Sequence, residues 1–542
     1  MENKLCIAKT NLEKLYRVFT VPENDSTTLG RIEKEISGNL LGFLKEHIVA
    51  SNISSSDLEQ DFLDTEILDD PVLVSEQTEF LMDKVVSRSV HTSSPSFVGH
   101  MTSALPYFML PLAKIMIALN QNLVKIETSK AFTPLERQVV GMIHRLVFCN
   151  SEEYYRQMTQ KSEVSLGTLC SDGTLANVTA LWVALNRLFP PCENFKGVGD
   201  EGLFQSLKRH GYEGLSIIVS ERGHYSLLKA ANLLGIGRNN LITIPTDHKN
   251  KIRVDLLLKK IEELRSRKVG IVAIVGIAGT TETGNVDPLG DLAAISRREN
   301  IHFHVDAAWG GPTLFSSKYR YLLSGIEEAD SVTIDAHKQL YIPIGAGIVV
   351  FRSESSLGLI EHSAEYIIRK GSRDLGRRTL EGSRPGIAML IHSGLRIIAR
   401  PGYELLIDLG IEKARAFAEM IRNQMDFELI TEPELNLLTY RYIPEKIRRL
   451  LEQGVDRERS LKINELLNRL TISLQKEERE GGKTFVSRTA LNISRYHNQL
   501  INVFRVVIAN PLTKLEHLRD ILEEQRSIAV RLVASQFSFD DL

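Results

Sequence analysis

Hydrophobic and polar positions divide the chain into three stretches. From about 165 to 350, short apolar, β-branched runs alternate with amphipathic segments: SIIVS (216–220), NLITIP (240–245), GIVAIVGI (270–277), HFHVDAA (302–308), SVTIDA (331–336) and GAGIVVF (345–351). Strands that alternate with helical segments predict βαβ units and a mainly parallel sheet. Their nearly unbroken apolar character predicts burial on both faces. After about 400 the pattern changes. ELNLLTYRYI (434–443) and LINVFRVVIA (500–509) read as strands, and the charged run between them reads as helix with a solvated face. A smaller C-terminal α+β domain is expected there.

The first 110 residues read as helices joined by polar turns, with an acidic linker or short helical layer at 57–71 and an irregular segment at 91–110 carrying Pro95, Gly99 and Pro106. Helical periodicity returns over 111–150. There Thr133-Pro134-Leu135-Glu136 looks like a helix start, with threonine as cap, proline in the first turn and an acid near the positive end of the dipole. The expected division is an N-terminal helical segment (1–110), a large α/β domain (111–400) and a small domain (401–542).

Composition narrows the classes. With 542 residues, 43% of them hydrophobic, the chain can bury a large core. A net charge of −2 argues against a nucleic-acid protein. Cys6, Cys149, Cys170 and Cys192 are too scattered for a disulfide framework or a zinc site, and are expected as reduced thiols in a cytoplasmic protein with no metal. The longest apolar stretch, 107–119, is interrupted by Pro111 and Lys114, whereas a spanning helix needs about 20 apolar residues. The N-terminus lacks the apolar run of a signal peptide, so no membrane association is expected.

Ligands of open α/β sheets bind beyond the carboxyl ends of the strands, so polar residues just after the apolar runs carry the candidate chemistry. Lys338 follows Asp335-Ala336-His337 at the end of one run. Lysine amines form Schiff bases with carbonyl cofactors, although a His-Lys pair alone also fits a surface lysine. Asp306 ends the run HFHVD and precedes small residues. A carboxylate there needs a cationic partner, and the protonated ring nitrogen of pyridoxal phosphate would supply one, with Ala308 small enough to lie against the ring; a helix cap is the plainer alternative. GTLCSDGTLAN (167–177) reads as a small-residue loop opening a helix, with Gly173 and Thr174 where free amides would receive a phosphate. His224, after SIIVS, could stack on an aromatic cofactor, or serve as a cap or core residue.

In combination and in this order, the phosphate loop, the strand-following histidine, the strand-end aspartate and the His-Lys pair resemble the group II pyridoxal-phosphate-dependent decarboxylases, the family acting on glutamate, aspartate, aromatic amino acids and cysteine sulfinate. The resemblance covers most of 90–542. HTSSPSFVGHMTSALPYFML, SKAFTPLERQVV, HVDAAWGG, DAHKQLYIPIGAG and TLEGSRPG are most similar to the bacterial aspartate branch. It departs from the commoner members at SSPSFVGH, where they have His-Pro-x-Phe, and in the 441–499 insertion.

The resemblance implies a fold-type I enzyme, a homodimer with sites at the subunit interface, and pyridoxal 5′-phosphate as cofactor. It implies Lys338 as the cofactor-bearing lysine, Asp306 at the ring nitrogen, Ala308 facing the ring, His224 stacked on it, and Gly173, Thr174 and His337 at the phosphate. It further implies Arg505 for the substrate α-carboxylate, Tyr366 as the residue that protonates the substrate carbon, and Ser383 reaching the partner's phosphate. Aspartate, giving β-alanine, is the expected substrate, with glutamate as alternative. Another pyridoxal-phosphate lyase or transferase, or a non-enzymatic homologue, remains open.

Overall fold

The computed structural model describes residues 27–48, 55–69, 71–363 and 371–537. Chain contacts divide it into one unit of Met1–His91 with Glu480–Lys483, and a second of Thr92–Arg479 with Thr484–Leu542. In the first unit the described residues form the helices Thr28–Gly38, Leu40–His47, Ser55–Gln60 and Val74–Leu81, the last continued by a π-helical turn, Met82–Val86. The acidic stretch yields one short helix and then extended chain, on which Ile67 and Leu68 are exposed.

The second unit contains both sheets. Its central sheet has β1 (Gly167–Cys170), β2 (Gly214–Ser220), β3 (Leu241–Ile244), β4 (Val269–Ile277), β5 (His302–Asp306), β6 (Ser331–Asp335) and β7 (Gly347–Phe351). The spatial order is β1-β7-β6-β5-β4-β2-β3. β3, β2, β4, β5 and β6 run parallel, and β7 is antiparallel to both neighbours. β5, β6 and β7 are buried along their whole lengths. All six strands expected here form. β1 is a seventh, inside the stretch read as a loop, which therefore shrinks to Ser171-Asp172. β7 passes close to that loop: a Cβ on Gly347 would fall 2.4 Å from the Asp172 carbonyl group, so only glycine fits.

The smaller sheet holds β8 (Phe427–Thr431), β9 (Leu437–Tyr442), β10 (Ser487–Ile493) and β11 (Gln499–Val507), in the antiparallel order β10-β11-β9-β8. The irregular 92–99 segment is tied to it: Val98 N–H donates to Phe485 O, and Val507 N–H donates to Val98 O. The charged run forms helices Glu445–Glu452 and Arg457–Gly481. The second has the expected solvated face and, opposite it, buries Ile463, Leu467, Leu470, Leu474 and even Glu478, because that stripe of the helix closes the core of the small sheet.

Helix Phe132–Phe148 begins one residue before Thr133, and no side chain caps it. Thr133 Oγ is instead shared with Ser129 Oγ, and Glu136 is buried in an ion pair with Arg384. The expected capping roles are thus replaced by a local hydroxyl pair at Thr133 and by a tertiary ion pair between Glu136 and the LEGSRPG segment. No described helix is long and apolar enough to cross a membrane. Cys149, Cys170 and Cys192 are free thiols; Cys6 lies outside the described residues.

Candidate active site

The carboxyl ends of β4, β5 and β6 place Ile277, Asp306 and Asp335 around one cavity of about 190 Å³. Gly173, Thr174, His224, Ala308, His337 and Lys338 line the same cavity, so seven of the expected site residues, with Asp306, converge. Helix Gly173–Leu188 points its N-terminus into the cavity wall. Its N-cap, Asp172, accepts from Leu175 N–H (2.8 Å), while the amides of Gly173 and Thr174 begin the helix, where intrahelical acceptors are lacking.

Asp306 is fixed through both oxygens. Ala308 N–H donates to Oδ1 (3.1 Å) and Asn177 Nδ2 to Oδ2 (2.9 Å). Asn177 also donates to Ser226 Oγ (3.1 Å), and its Oδ1 lies 3.0 Å from His304 Nε2. Burial pushes the His304 imidazole down to about 4, against the pull of Asp306, so the ring is neutral at pH 7. Because Asn177 Oδ1 can only accept, His304 carries its proton on Nε2, and Nδ1 accepts from Ser331 Oγ (2.9 Å). On the other side, Ser226 Oγ–H donates to His224 Nδ1 (2.9 Å). Burial lowers the His224 pKa as well. Asn177 therefore orients the aspartate and, through Ser226, the histidine.

Lys338 Nζ donates to Asp335 Oδ2 at 2.8 Å, with the lysine side chain 19% and the aspartate 4% exposed. Asp335 Oδ1 is buried without a partner, and the carboxylate lies against the helix start: a Cβ on Gly173 would sit 2.6 Å from Oδ2. His337 Nδ1–H donates to Ala346 O (3.1 Å), which fixes its ring, and Nε2 is 3.7 Å from Asp335. One further segment reaches the phosphate loop: Glu381 accepts from Ser171 N–H (3.1 Å) and from the Ser171 hydroxyl.

Three expected residues stand apart. Arg505 does not line the cavity but backs it, donating from Nε to the carbonyl of Thr281, which does (2.5 Å). Burial lowers the pKa of its guanidinium to about 10, so it stays a cation. Ser383 is bonded to Asn122 Nδ2 (2.8 Å), outside the cavity of its own chain. Tyr366 lies outside the described residues. Sequence reasoning missed Asn177, Asp335 and Arg222 as site residues, all of which line the cavity. Arg222 was legible as a cation just past a buried strand; the packing of Asp335 on Gly173 was not.

The residues fit pyridoxal phosphate. Asp306 is a buried, hydrogen-bonded carboxylate with no cation in ion-pair distance among the described residues, as a partner for a protonated ring nitrogen should be. A primary amine, a small residue, a neutral imidazole and an open helix N-terminus share its cavity.

Comparison with known sequences decides the family. The pattern described as pyridoxal-dependent decarboxylase conserved domain matches residues 65–443. The chain belongs to the pyridoxal-dependent decarboxylases. Its cofactor is accordingly pyridoxal 5′-phosphate and its reaction class that of a carboxy-lyase. This decarboxylase is similar to the aspartate 1-decarboxylase of Aliivibrio fischeri, with 58% identity over 96% of the chain and 95% of that protein. It is more distantly similar to acidic amino acid decarboxylase GADL1 of Mus musculus, 27% identical over 83% of the chain and 76% of that protein. Among solved structures, mouse CSAD in apo form superposes with a TM-score of 0.78 at 23% identity, covering 92% of this chain and 99% of that one. The Oryza sativa TDC structure with PLP and tryptamine gives 0.77 at 18% identity, over 95% and 99%. These likenesses establish fold type I, a mainly parallel sheet with a smaller antiparallel domain.

Proposed function

We propose that this decarboxylase removes the α-carboxylate of L-aspartate, releasing CO₂ and β-alanine. The observation that carries the substrate is the 58% identity, along nearly the whole of both chains, to the Aliivibrio fischeri protein of that name. The cavity supports the chemistry. Bound pyridoxal phosphate supplies a carbonyl for the substrate amine and a ring that accepts the electron pair left when CO₂ departs.

The protein's own residues orient and polarise. Lys338 provides the amine that holds the cofactor and yields it to the substrate. Asp306, held by Asn177 and Ala308 N–H, keeps the ring nitrogen protonated. His224, fixed by Ser226, would cover one face of the bound ring, and Ala308 would leave room on the other. Gly173, Thr174 and His337 hold the phosphate. Arg505 receives the substrate α-carboxylate, its Nη2 being buried and without a partner. Tyr366 returns a proton to Cα, completing β-alanine.

The same reading includes a homodimer, in which Ser383, outside its own chain's cavity, reaches the partner's phosphate. It also includes a cytoplasmic location, which suits the free thiols, and the division into 1–110, 111–400 and 401–542.

The test is a competition between aspartate and glutamate at equal concentration, with β-alanine and GABA followed by mass spectrometry. β-Alanine is expected to dominate. Predominant GABA would replace the substrate, and neither product from fully loaded enzyme would overturn the acidic-substrate reading.

A further inference from the structure

Five arginines of the described chain are buried: Arg222, Arg377, Arg384, Arg441 and Arg505. Three are neutralised by carboxylates, Arg377 by Glu361, Arg384 by Glu136 and Arg441 by Glu428. This is the ordinary condition, because a buried charge without a partner is costly. Arg222 and Arg505 have no carboxylate within ion-pair distance among the described residues. Both border the same cavity, Arg222 in its wall and Arg505 behind Thr281.

Arg222 lies two residues beyond β2, in a turn closed by its own N–H to Ser220 Oγ (3.1 Å) and by Gly223 N–H to Ser220 O (2.8 Å). It is 8% exposed, its Nε is buried with no partner, and Nη2 has only a 3.4 Å contact with Asn250 Oδ1. Glu282, next to Thr281, is the acid whose field both arginines feel, yet it pairs with neither, and its Oε2 is itself unpartnered. Burial raises the Glu282 pKa, against the two guanidinium charges.

We propose that Arg222 receives the distal carboxylate of a dicarboxylic substrate, while Arg505 takes the α-carboxylate. The assignment rests on the acidic-substrate reading above and names the residue that makes the site acid-specific. A bound diacid would give each guanidinium the anion that the fold withholds, in the geometry that favours arginine over lysine. An amino acid with an apolar side chain would leave Arg222 buried and unpaired, which is discrimination by an unmet charge rather than by size.

The experiment is calorimetric titration of the holoenzyme with succinate, a four-carbon diacid without an amine, and with butyrate, which has one carboxylate. Wild type should bind succinate more tightly. Arg222→Met keeps the aliphatic stem and should weaken succinate by about tenfold to a hundredfold, the worth of a charge-assisted contact, while butyrate affinity stays within about twofold. Arg222→Lys should recover part of the loss, and KM for aspartate should rise in the Met variant far more than kcat falls. Unchanged succinate affinity, or equal losses for both ligands, would overturn the assignment. Wild type that makes β-alanine yet binds succinate no better than butyrate overturns Arg222 alone; wild type that makes none from aspartate overturns the substrate.

Discussion

The pair Glu136–Arg384 offers a quantitative test of how the LEGSRPG segment is held at the site. Arg384 Nη1 donates to Glu136 Oε2 at 2.6 Å and Nη2 to Oε1, and the side chains are 2% and 6% exposed. Arg384 O also accepts from Leu123 N–H, and three residues earlier Glu381 holds Ser171 in the phosphate loop. Glu136→Gln keeps the shape and leaves the guanidinium buried without its anion, a loss of about 3–5 kcal/mol. The unit containing the pair has roughly 450 residues, for which an unfolding entropy of about 2.1 cal/mol/K per residue gives ~0.9 kcal/mol/K. The midpoint should therefore fall by about 3–5 °C in scanning calorimetry of the holoenzyme. Glu136→Leu combined with Arg384→Met removes both charges and should recover most of that loss, because the destabilisation comes from the orphaned charge more than from the missing contact. A Glu136→Gln midpoint equal to that of wild type, or a double variant as unstable as the single one, would refute the reasoning. Release of Glu381 should also weaken retention of the cofactor in Glu136→Gln, measured by its loss on gel filtration.

Three other perturbations have definite signs. Lys338→Ala should abolish borohydride-stable attachment of the cofactor; attachment at another mapped lysine would displace Lys338 from its role. Asp335→Asn removes a negative charge from the wall facing Gly173 and should tighten binding of inorganic phosphate to the cofactor-free protein by about tenfold, from relief of like-charge repulsion; weaker binding would show that Asp335 helps the anion. Glu478 is pushed up to about 8 by burial, so the folded protein keeps a proton that the unfolded chain loses above about 4.5, and stability falls as pH rises between those values. Glu478→Gln should remove this slope and stabilise at pH 7 by up to about 3 kcal/mol, seen as a higher midpoint at pH 7 than at pH 5 relative to wild type; an unchanged slope would place the proton elsewhere.

The parts of this structure that sequence displayed are those set by local pattern. Short apolar, β-branched runs made β2 to β7 visible, and the convergence of Gly173, His224, Asp306 and Lys338 follows from their places at strand ends or at the helix start beside them. β1 was not visible, because its four residues begin a Gly/Ser/Thr-rich stretch that read as a loop, and β8 lies outside the runs read as strands. β10 lay beyond the charged run read as helix, in a stretch for which no strand was read. Thr133 and Glu136 had the spacing of a cap, but Thr133 bonds Ser129 and Glu136 serves a tertiary contact, since its buried partner, Arg384, outweighs the dipole. Arg222 lies two residues before His224 in the sequence, but only its burial without a carboxylate sets it apart.

The arrangement around Asp306 shows why burial serves this site better than counter-charge. An arginine or a protonated histidine on the aspartate would fix it equally well, but would offset the charge that the ring nitrogen requires. Here the supporting groups are neutral: a backbone amide, the Asn177 carboxamide and, behind it, a histidine whose burial lowers its pKa to about 4. Neutral dipoles hold the carboxylate in place and leave its charge directed into the cavity. The same Asn177 bonds Ser226, which positions His224, so one side chain on helix Gly173–Leu188 links the group proposed to polarise the ring with the group proposed to cover it. That helix also presents the phosphate-facing amides at its start, and a helix turn is stiff over this distance. In the proposed roles, phosphate, ring nitrogen and ring face would all be registered against a single rigid element, which is the condition for holding one bond of the substrate in a fixed orientation to the ring.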